Sequence, residues 1–273
     1  MNAQGGLYGN ALQAAAFGTH AEIVHLLLDK GADVNAQGGD YGNALQAALR
    51  GHRDHISGFT IPILKQGCAE IAHCLLDKGA NVNAQGGKYG NALQAAAFEG
   101  YAEIVMILLN KGADVNVQGG MYGNALQAAS CEGNLNIVRL LLDKGANVNA
   151  QGGEYSNALQ AASYRGDLEI AKLLLDKGAD VNAQGGKYGN ALQAAASEGD
   201  EAMVRLLLDT GADLNLQGGM HGSAMQAALD KHHFEIAVFL SSRGTMASTG
   251  GNVVHGKEEM LEGMYELASH SSY

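Results

Sequence analysis

Apolar residues recur along the chain in two alternating patterns, and each pattern predicts a short α-helix. Residues 91–98 are Ala-rich and therefore have high helix propensity, until Gly100 interrupts them. Residues 102–109 place apolar side chains at i, i+1, i+4 and i+5, which form one broad buried face of a second helix. Gly112 suits the left-handed C-cap of that helix, and residues 113–123 are too Gly-rich to be helical. The predicted unit is therefore helix, turn, helix and projecting finger.

Polar residues at the start of the first helix predict how that helix is capped. Asn91 is of a preferred N-cap type, and its side chain should accept a hydrogen bond from a backbone N–H of the first turn. Gln94, three residues later, could reach back to the backbone amide of Asn91. Together the two residues predict a capping box.

The string Asn-Ala-Leu-Gln opens this unit six times, and a seventh unit opens with Ser-Ala-Met-Gln. Successive strings are 33 residues apart, except for one step of 48 that places a 15-residue insertion in the second copy, at about residues 51–66. Because such a period is typical of units that bury their apolar faces against their neighbours, we predict an all-α repeat solenoid. About seven stacked helix-turn-helix units should occupy residues 1–244. The strings begin at Asn10, Asn43, Asn91, Asn124, Asn157, Asn190 and Ser223.

The repeated strings resemble those of the ankyrin family over residues 1–244. Gly-Ala-Asp-Val-Asn-Ala at 31–36 and Leu-Leu-Leu-Asp-Lys-Gly at 140–145 match the family pattern. Asn-Ala-Leu-Gln stands where the family has Thr-Pro-Leu-His, and this form is similar to the ankyrin arrays of fungal NACHT-type signalling proteins. The resemblance implies a concave groove that grips partner proteins.

Composition narrows the classes of partner. The net charge of −11 offers no basic stripe for nucleic-acid phosphates or for an anionic membrane surface. The three cysteines are scattered and odd in number, which favours a reducing compartment over a disulfide framework. No apolar run approaches the 18 or so residues of a membrane span, and the N-terminus lacks the character of a signal peptide. We therefore predict an intracellular, cytoplasmic protein that binds neither nucleic acid nor membrane.

The insertion contains His52 and His55, and Cys68, His73 and Cys74 follow nearby. Their spacing fits no structural zinc pattern. The insertion is therefore predicted to be a surface loop, and we expect neither a metal site nor a cofactor.

The two ends carry predictions of their own. Residues 245–273 should form a flexible tail with an amphipathic helix at about 257–268, which either caps the array or binds a partner. Residues 1–6 resemble residues 34–39, so the chain starts within a finger. We expect either a longer array or an end-to-end contact through the uncapped first repeat.

Three residue types recur at fixed positions. One Gln ends each four-residue string and another lies in each finger, and both rows are predicted to hydrogen-bond from copy to copy. A Tyr lies two residues before each string, with a His in the last copy. This row either braces each finger on the next or offers flat amphipathic contacts to a ligand, because Tyr is enriched at binding hot spots. The row consists of Tyr8, Tyr41, Tyr89, Tyr122, Tyr155, Tyr188 and His221.

Other positions vary while their surroundings stay fixed, and these predict the binding surface. They lie just before each Tyr and at the end of each first helix, and several are large and apolar where solvent would favour polar residues. Phe98, Met121, Tyr122 and Tyr164 should form one apolar patch. Its charged rim should consist of Lys88, Glu99, Glu132, Glu154 and Arg165. The predicted partner-binding residues are Leu7, Phe17, Asp40, Tyr41, Arg50, Lys88, Tyr89, Phe98, Glu99, Met121, Tyr122, Glu132, Glu154, Tyr155, Tyr164, Arg165, Lys187, Tyr188, Met220 and His221.

The sequence leaves two classes of function to be compared. Variation spread along the array favours a non-catalytic scaffold that binds a partner protein or peptide in the groove. An enzyme or a small-molecule-binding protein would instead use the groove as a pocket, but no catalytic or phosphate-binding motif is present in the sequence. We therefore predict a scaffold without catalytic activity.

Overall fold

The structure is a computed structural model that describes residues 2–50 and 62–249. Most of the insertion, with His52 and His55, and the predicted helix at 257–268 lie outside the described residues. The described part contains fourteen α-helices and isolated β-bridges, so the predicted all-α repeat solenoid is confirmed. The helices are α1 Ala11–Phe17, α2 Ala21–Asp29, α3 Ala44–Ala48, α4 Pro62–Asp77, α5 Ala92–Glu99, α6 Ala102–Asn110, α7 Ala125–Glu132, α8 Leu135–Asp143, α9 Ala158–Arg165, α10 Leu168–Asp176, α11 Ala191–Glu198, α12 Glu201–Asp209, α13 Ala224–Asp230 and α14 Phe234–Thr249.

The chain forms two compact units, one up to Glu154 and one from Tyr155. In the first unit, each first helix packs on the next first helix, as α1 does on α3 and α5 on α7, while α2 packs on α4 and α6 on α8. The second unit repeats this arrangement with α9, α11 and α13 in one row and with α10 against α12 in the other. Alanine fills the rows of first helices, and its small side chain lets neighbouring helices approach closely.

The predicted N-caps are confirmed, whereas the predicted capping box is wrong. The Asn91 side chain accepts a hydrogen bond from the backbone N–H of Gln94 at 2.8 Å, and Asn124 does the same for Gln127 at 2.9 Å. The Gln94 side chain does not turn back to its cap. It donates forward to two carbonyl oxygens in the finger of the next repeat, those of Gly119 and Gly123.

Removing one central cap should lower stability measurably. Asn124→Ala is expected to reduce the free energy of unfolding by about 0.5–2 kcal/mol, because an N–H of the first turn loses its acceptor. Asn10→Ala removes the same hydrogen bond in the first described repeat, against which the structure describes only one neighbouring repeat, and should have a smaller effect in this chain. Urea denaturation of both variants measures the difference, and equal losses would contradict nearest-neighbour coupling.

Two predicted boundaries are wrong. The last part of the insertion is helical, since α4 begins at Pro62, whose fixed φ and missing N–H suit the first position of a helix. The last helix extends beyond residue 244, the predicted end of the array, and continues to Thr249. The Arg243 guanidinium lies 5.3 Å from the ring centre of Phe239 on the preceding turn, which supports this extension.

Candidate functional site

A row of backbone hydrogen bonds joins the finger tips of the first unit. The N–H of Asp40 donates to the carbonyl oxygen of Leu7, and that of Lys88 donates to Asp40, each at 2.9 Å. The N–H of Met121 donates to Lys88 at 3.1 Å, and that of Glu154 to Met121 at 3.0 Å. We call these five residues the tip row. One residue per repeat is therefore held at a fixed place by its own main chain.

Paired glycines make this close approach possible. Gly120 precedes Met121 and has a φ of +63°, a conformation that other residues rarely adopt. A Cβ at Gly120 would lie 2.5 Å from the backbone nitrogen of Gly90 and closer still to the carbonyl group of Tyr89. Sequence reasoning missed the tip row, although the recurring Gly-Gly pair was its signal.

The side chains of the tip row point to solvent. Leu7 and Met121 are 53% and 41% exposed, so both present apolar area to solvent. Asp40, Lys88 and Glu154 are also exposed. In the second unit Lys187 and Met220 are exposed as well, and the N–H of Met220 donates to the carbonyl oxygen of Lys187 at 2.9 Å. The predicted variable positions at the fingers are thus accessible in both units.

The tyrosine row lies behind the tips and is mostly buried. Only Tyr8 is substantially exposed, at 36%, while the other five tyrosines are 5–9% exposed. Rings of consecutive repeats stack, with centroids 6.4 Å apart for Tyr8 and Tyr41 and also for Tyr89 and Tyr122. This burial favours the bracing role over direct contact with a ligand. It reduces the contact area that the predicted site residues Tyr41, Tyr89, Tyr122, Tyr155 and Tyr188 can offer.

Aromatic residues at the ends of first helices complete these stacks. In the first unit the ring of Phe98 lies 4.4 Å from that of Tyr122 and 5.7 Å from that of Tyr89, centroid to centroid. In the second unit Tyr164 lies 5.0 Å from Tyr188. Both Phe98 and Tyr164 are half-buried. Phe98 and Tyr164 therefore take part in packing between repeats, and the wider patch that joins them stays a prediction.

Phe17 and Arg50 form a similar cluster near the start of the first unit. The guanidinium of Arg50 lies 4.8 Å from the ring centre of Phe17 and 5.4 Å from that of Tyr41. Phe17 also contacts Tyr8, with centroids 4.8 Å apart. Both Phe17 and Arg50 remain half-exposed, so this cluster combines an aromatic floor with a cation.

One predicted rim charge is buried. Glu99 is only 7% exposed and accepts a hydrogen bond from the Tyr89 hydroxyl at 3.1 Å, so its assignment to the rim is wrong. Burial, followed by the nearby Glu99 charge, raises the pKa of Tyr89 above its usual range. Burial likewise raises the pKa of Tyr101 in the same region. Glu132 is half-buried and Arg165 is exposed, as a rim position requires.

His221, the last member of the tyrosine row, has a different environment from the tyrosines. The His221 side chain is only 7% exposed, and its Nδ1 lies 2.8 Å from the Asp230 carboxylate. The hydrogen bond from His221, then that from Gln226, lowers the pKa of Asp230. Gln226 donates to Asp230 within its own helix instead of to a following finger. His221 therefore offers little surface to a partner.

Two ladders of side-chain amides couple the repeats. Gln94 is 1% exposed, and its Nε2 donates to the carbonyl oxygens of Gly119 and Gly123, both at 3.0 Å. A second ladder runs through finger asparagines, where Asn83 donates to Gly112 at 3.0 Å and accepts from the N–H of Asp114 at 2.9 Å. The copy-to-copy role predicted for the first Gln row is confirmed, with backbone carbonyls as acceptors. The asparagine ladder was missed, although its Asn recurs in every repeat.

The part of the chain that the structure describes contains no cluster of ionisable side chains suited to a metal ion. Within residues 2–50 and 62–249, no group of three or more His, Cys, Asp or Glu side chains could hold a metal ion. Cys74 Sγ lies 3.4 Å from Nδ1 of His25, and Cys68 is buried. None of the helices described is both long enough and apolar enough to cross a membrane.

The first repeat exposes apolar residues of its second helix. Ile23 and Leu26 on α2 are 47% and 58% exposed, whereas Ile104, at the matching position of α6, is 2% exposed. The difference arises because no described repeat packs on that side of α2. The end-to-end contact expected there stays a prediction.

Comparison with known proteins gives matches over most of the described chain. A family profile described as "Ankyrin repeats (3 copies)" matches residues 63–152, 117–185 and 158–249, and one described as "Ankyrin repeat" matches residues 10–39. A curated relative, "Azaphilone pigments biosynthesis cluster protein L" of Monascus ruber, is 65% identical over 34 residues. That match spans 12% of this chain and 7% of the relative. The narrower resemblance to NACHT-associated arrays stays a prediction.

Proposed function

The chain belongs to the ankyrin-repeat family, and from that premise we propose that it is a non-catalytic scaffold that binds a partner protein or peptide. Ankyrin repeats generally mediate protein–protein interactions. The proposed binding surface consists of the exposed finger tips and the half-exposed aromatic residues at the ends of first helices. An intracellular site of action is part of the proposal, because three scattered cysteines suit a reducing compartment.

The tip row is the observation that carries this proposal. Its backbone is fixed by hydrogen bonds from repeat to repeat, while its side chains are apolar, acidic and basic in turn. A rigid row costs little conformational entropy on binding, which favours affinity. Exposed Leu7 and Met121 offer apolar contact area, and the charges between them offer specificity. The half-exposed ring of Phe98 lies beside this row through its contact with Tyr122.

Position-specific cross-linking tests the proposal, and the first unit supplies a matched pair of methionines. Met121 lies in the tip row and is 41% exposed, whereas Met106 lies on α6 and is 50% exposed. A photo-reactive amino acid at position 121 is expected to cross-link a partner protein in cells, because that side chain would contact the partner. The same amino acid at position 106 should give a much lower yield of the same product. Equal yields, or a product from position 106 alone, would place the interface elsewhere.

A further inference from the structure

We propose that the tip row binds an extended peptide segment of the partner, with every second side chain of that segment facing one repeat. The segment would present an apolar, a basic, an acidic, an apolar and a basic side chain in turn, opposite Leu7, Asp40, Lys88, Met121 and Glu154. This inference rests on the proposed function and goes further, since it names the conformation and the chemistry of the bound segment.

The spacing of the repeats at this surface fits an extended chain. Rings of Tyr8 and Tyr41, each next to a tip residue, are 6.4 Å apart, and those of Tyr89 and Tyr122 have the same spacing. The hydrogen bonds of 2.9–3.1 Å from each tip N–H to the preceding tip carbonyl keep successive tips in direct contact. Alternate side chains of a β-strand are roughly 6.6–6.8 Å apart. The mismatch is then only about 0.3 Å per repeat, or about 1 Å over four steps.

A helical segment fits this row less well. One turn of an α-helix rises about 5.4 Å, roughly 1 Å less than the spacing between repeats. The side chains of a helix lying along the row would therefore fall out of register with the tips by roughly 1 Å per repeat. Over the four steps of the tip row the error grows to about 4 Å, the length of one residue step along the chain. A straight helix would therefore contact two or three neighbouring tips but not all five.

The main-chain atoms of the tip row leave recognition to the side chains. The N–H and carbonyl oxygen of Lys88 are bonded to Asp40 and Met121, respectively, and the other inner members are bonded in the same way. The row therefore cannot pair with a partner strand through its own backbone, as an exposed sheet edge does. The charge and size of the side chain at each tip must therefore select the sequence of the bound peptide segment. Asp40 and Glu154 favour cations and Lys88 favours an anion.

Two short synthetic peptides provide the probe. The first has the sequence Leu-Thr-Arg-Thr-Glu-Thr-Leu-Thr-Arg with blocked termini, and the second has the same residues in reverse order, because the direction of binding is open. Threonine at the intervening positions favours an extended chain. Fluorescence anisotropy with the full chain measures the dissociation constant of each peptide.

The Lys88→Glu variant then tests the register. For the peptide that binds more tightly, this change should weaken binding about fivefold, because attraction to the central glutamate becomes repulsion. A companion peptide with lysine at its centre should bind the variant more tightly than it binds the unchanged chain. Lys111→Glu is the control, since Lys111 is also exposed but lies after α6 and pairs with Asp77. It changes the net charge equally and should leave both dissociation constants within about twofold.

The proposal is overturned if neither peptide binds, or if both lysine variants change binding equally. It is also overturned if a helical peptide with the same five side chains, one per turn, binds more tightly than either extended peptide. These failures would leave the proposed function standing whenever position 121 still cross-links a partner in cells. Loss of that cross-link as well would remove both.

Discussion

Gly120→Ala is expected to lower the free energy of unfolding by about 2–4 kcal/mol. The new Cβ adds about 1–2 kcal/mol of strain at a positive φ, and overlap with fixed backbone adds a similar amount. The neighbouring atoms belong to the backbone of Tyr89 and Gly90 and cannot rotate away. The change should also separate two finger tips, because Met121 follows directly. Urea denaturation measures the loss of stability.

Gly112→Ala is the matched control for this prediction. Gly112 also has a positive φ, of +87°, but no atom lies within 4 Å of the position where a Cβ would be added. It should therefore lose only about 1–2 kcal/mol from backbone strain. Equal losses in the two variants would show that the close approach between fingers contributes nothing to stability.

Gln94→Ala is expected to lower the free energy of unfolding by about 2–4 kcal/mol. The buried amide donates two hydrogen bonds to carbonyl oxygens of the next finger, and its removal leaves both oxygens with one donor fewer, the oxygen of Gly123 in a buried position. The lost side chain also leaves a cavity beside Gly90. The midpoint of thermal unfolding, followed by circular dichroism, should fall accordingly.

Gln226→Ala changes the equivalent residue of the last described string. Gln226 is exposed and donates only to Asp230 of its own helix, so its removal should change stability by no more than about 0.5 kcal/mol. A large loss at Gln226, or a small one at Gln94, would contradict the forward coupling of the repeats through this amide.

Sequence alone predicted the helices of the array and their caps, because both depend on residues close together in the chain. The distance from Asn91 to Gln94 is enough to identify the N-cap hydrogen bond. The 33-residue period then implies stacking without any knowledge of individual contacts. The start of α4 at Pro62 was missed because the inserted segment was treated as one loop.

The rest depends on contacts between repeats, which spacing within one repeat does not reveal. The Gln94 amide could accept from the nearby N–H of Asn91 or donate to carbonyl oxygens of the next finger, and only the packed neighbour decides between them. Glu99 resembles a surface charge in sequence but is buried beside Tyr89. The tip row is joined by backbone atoms that every residue carries, so its members could be identified as variable but not as hydrogen-bonded neighbours.

Methyl NMR of the methionine-labelled chain tests most directly whether the tip row is the binding surface. The chain is titrated with the partner protein that the cross-linking experiment identifies. Met121 and Met106 are both exposed in the first unit, so their methyl signals report on the finger tips and on α6 under the same conditions. The account predicts that the Met121 signal shifts or broadens as partner is added, while the Met106 signal stays unchanged. A shift at Met106 with none at Met121 would contradict it.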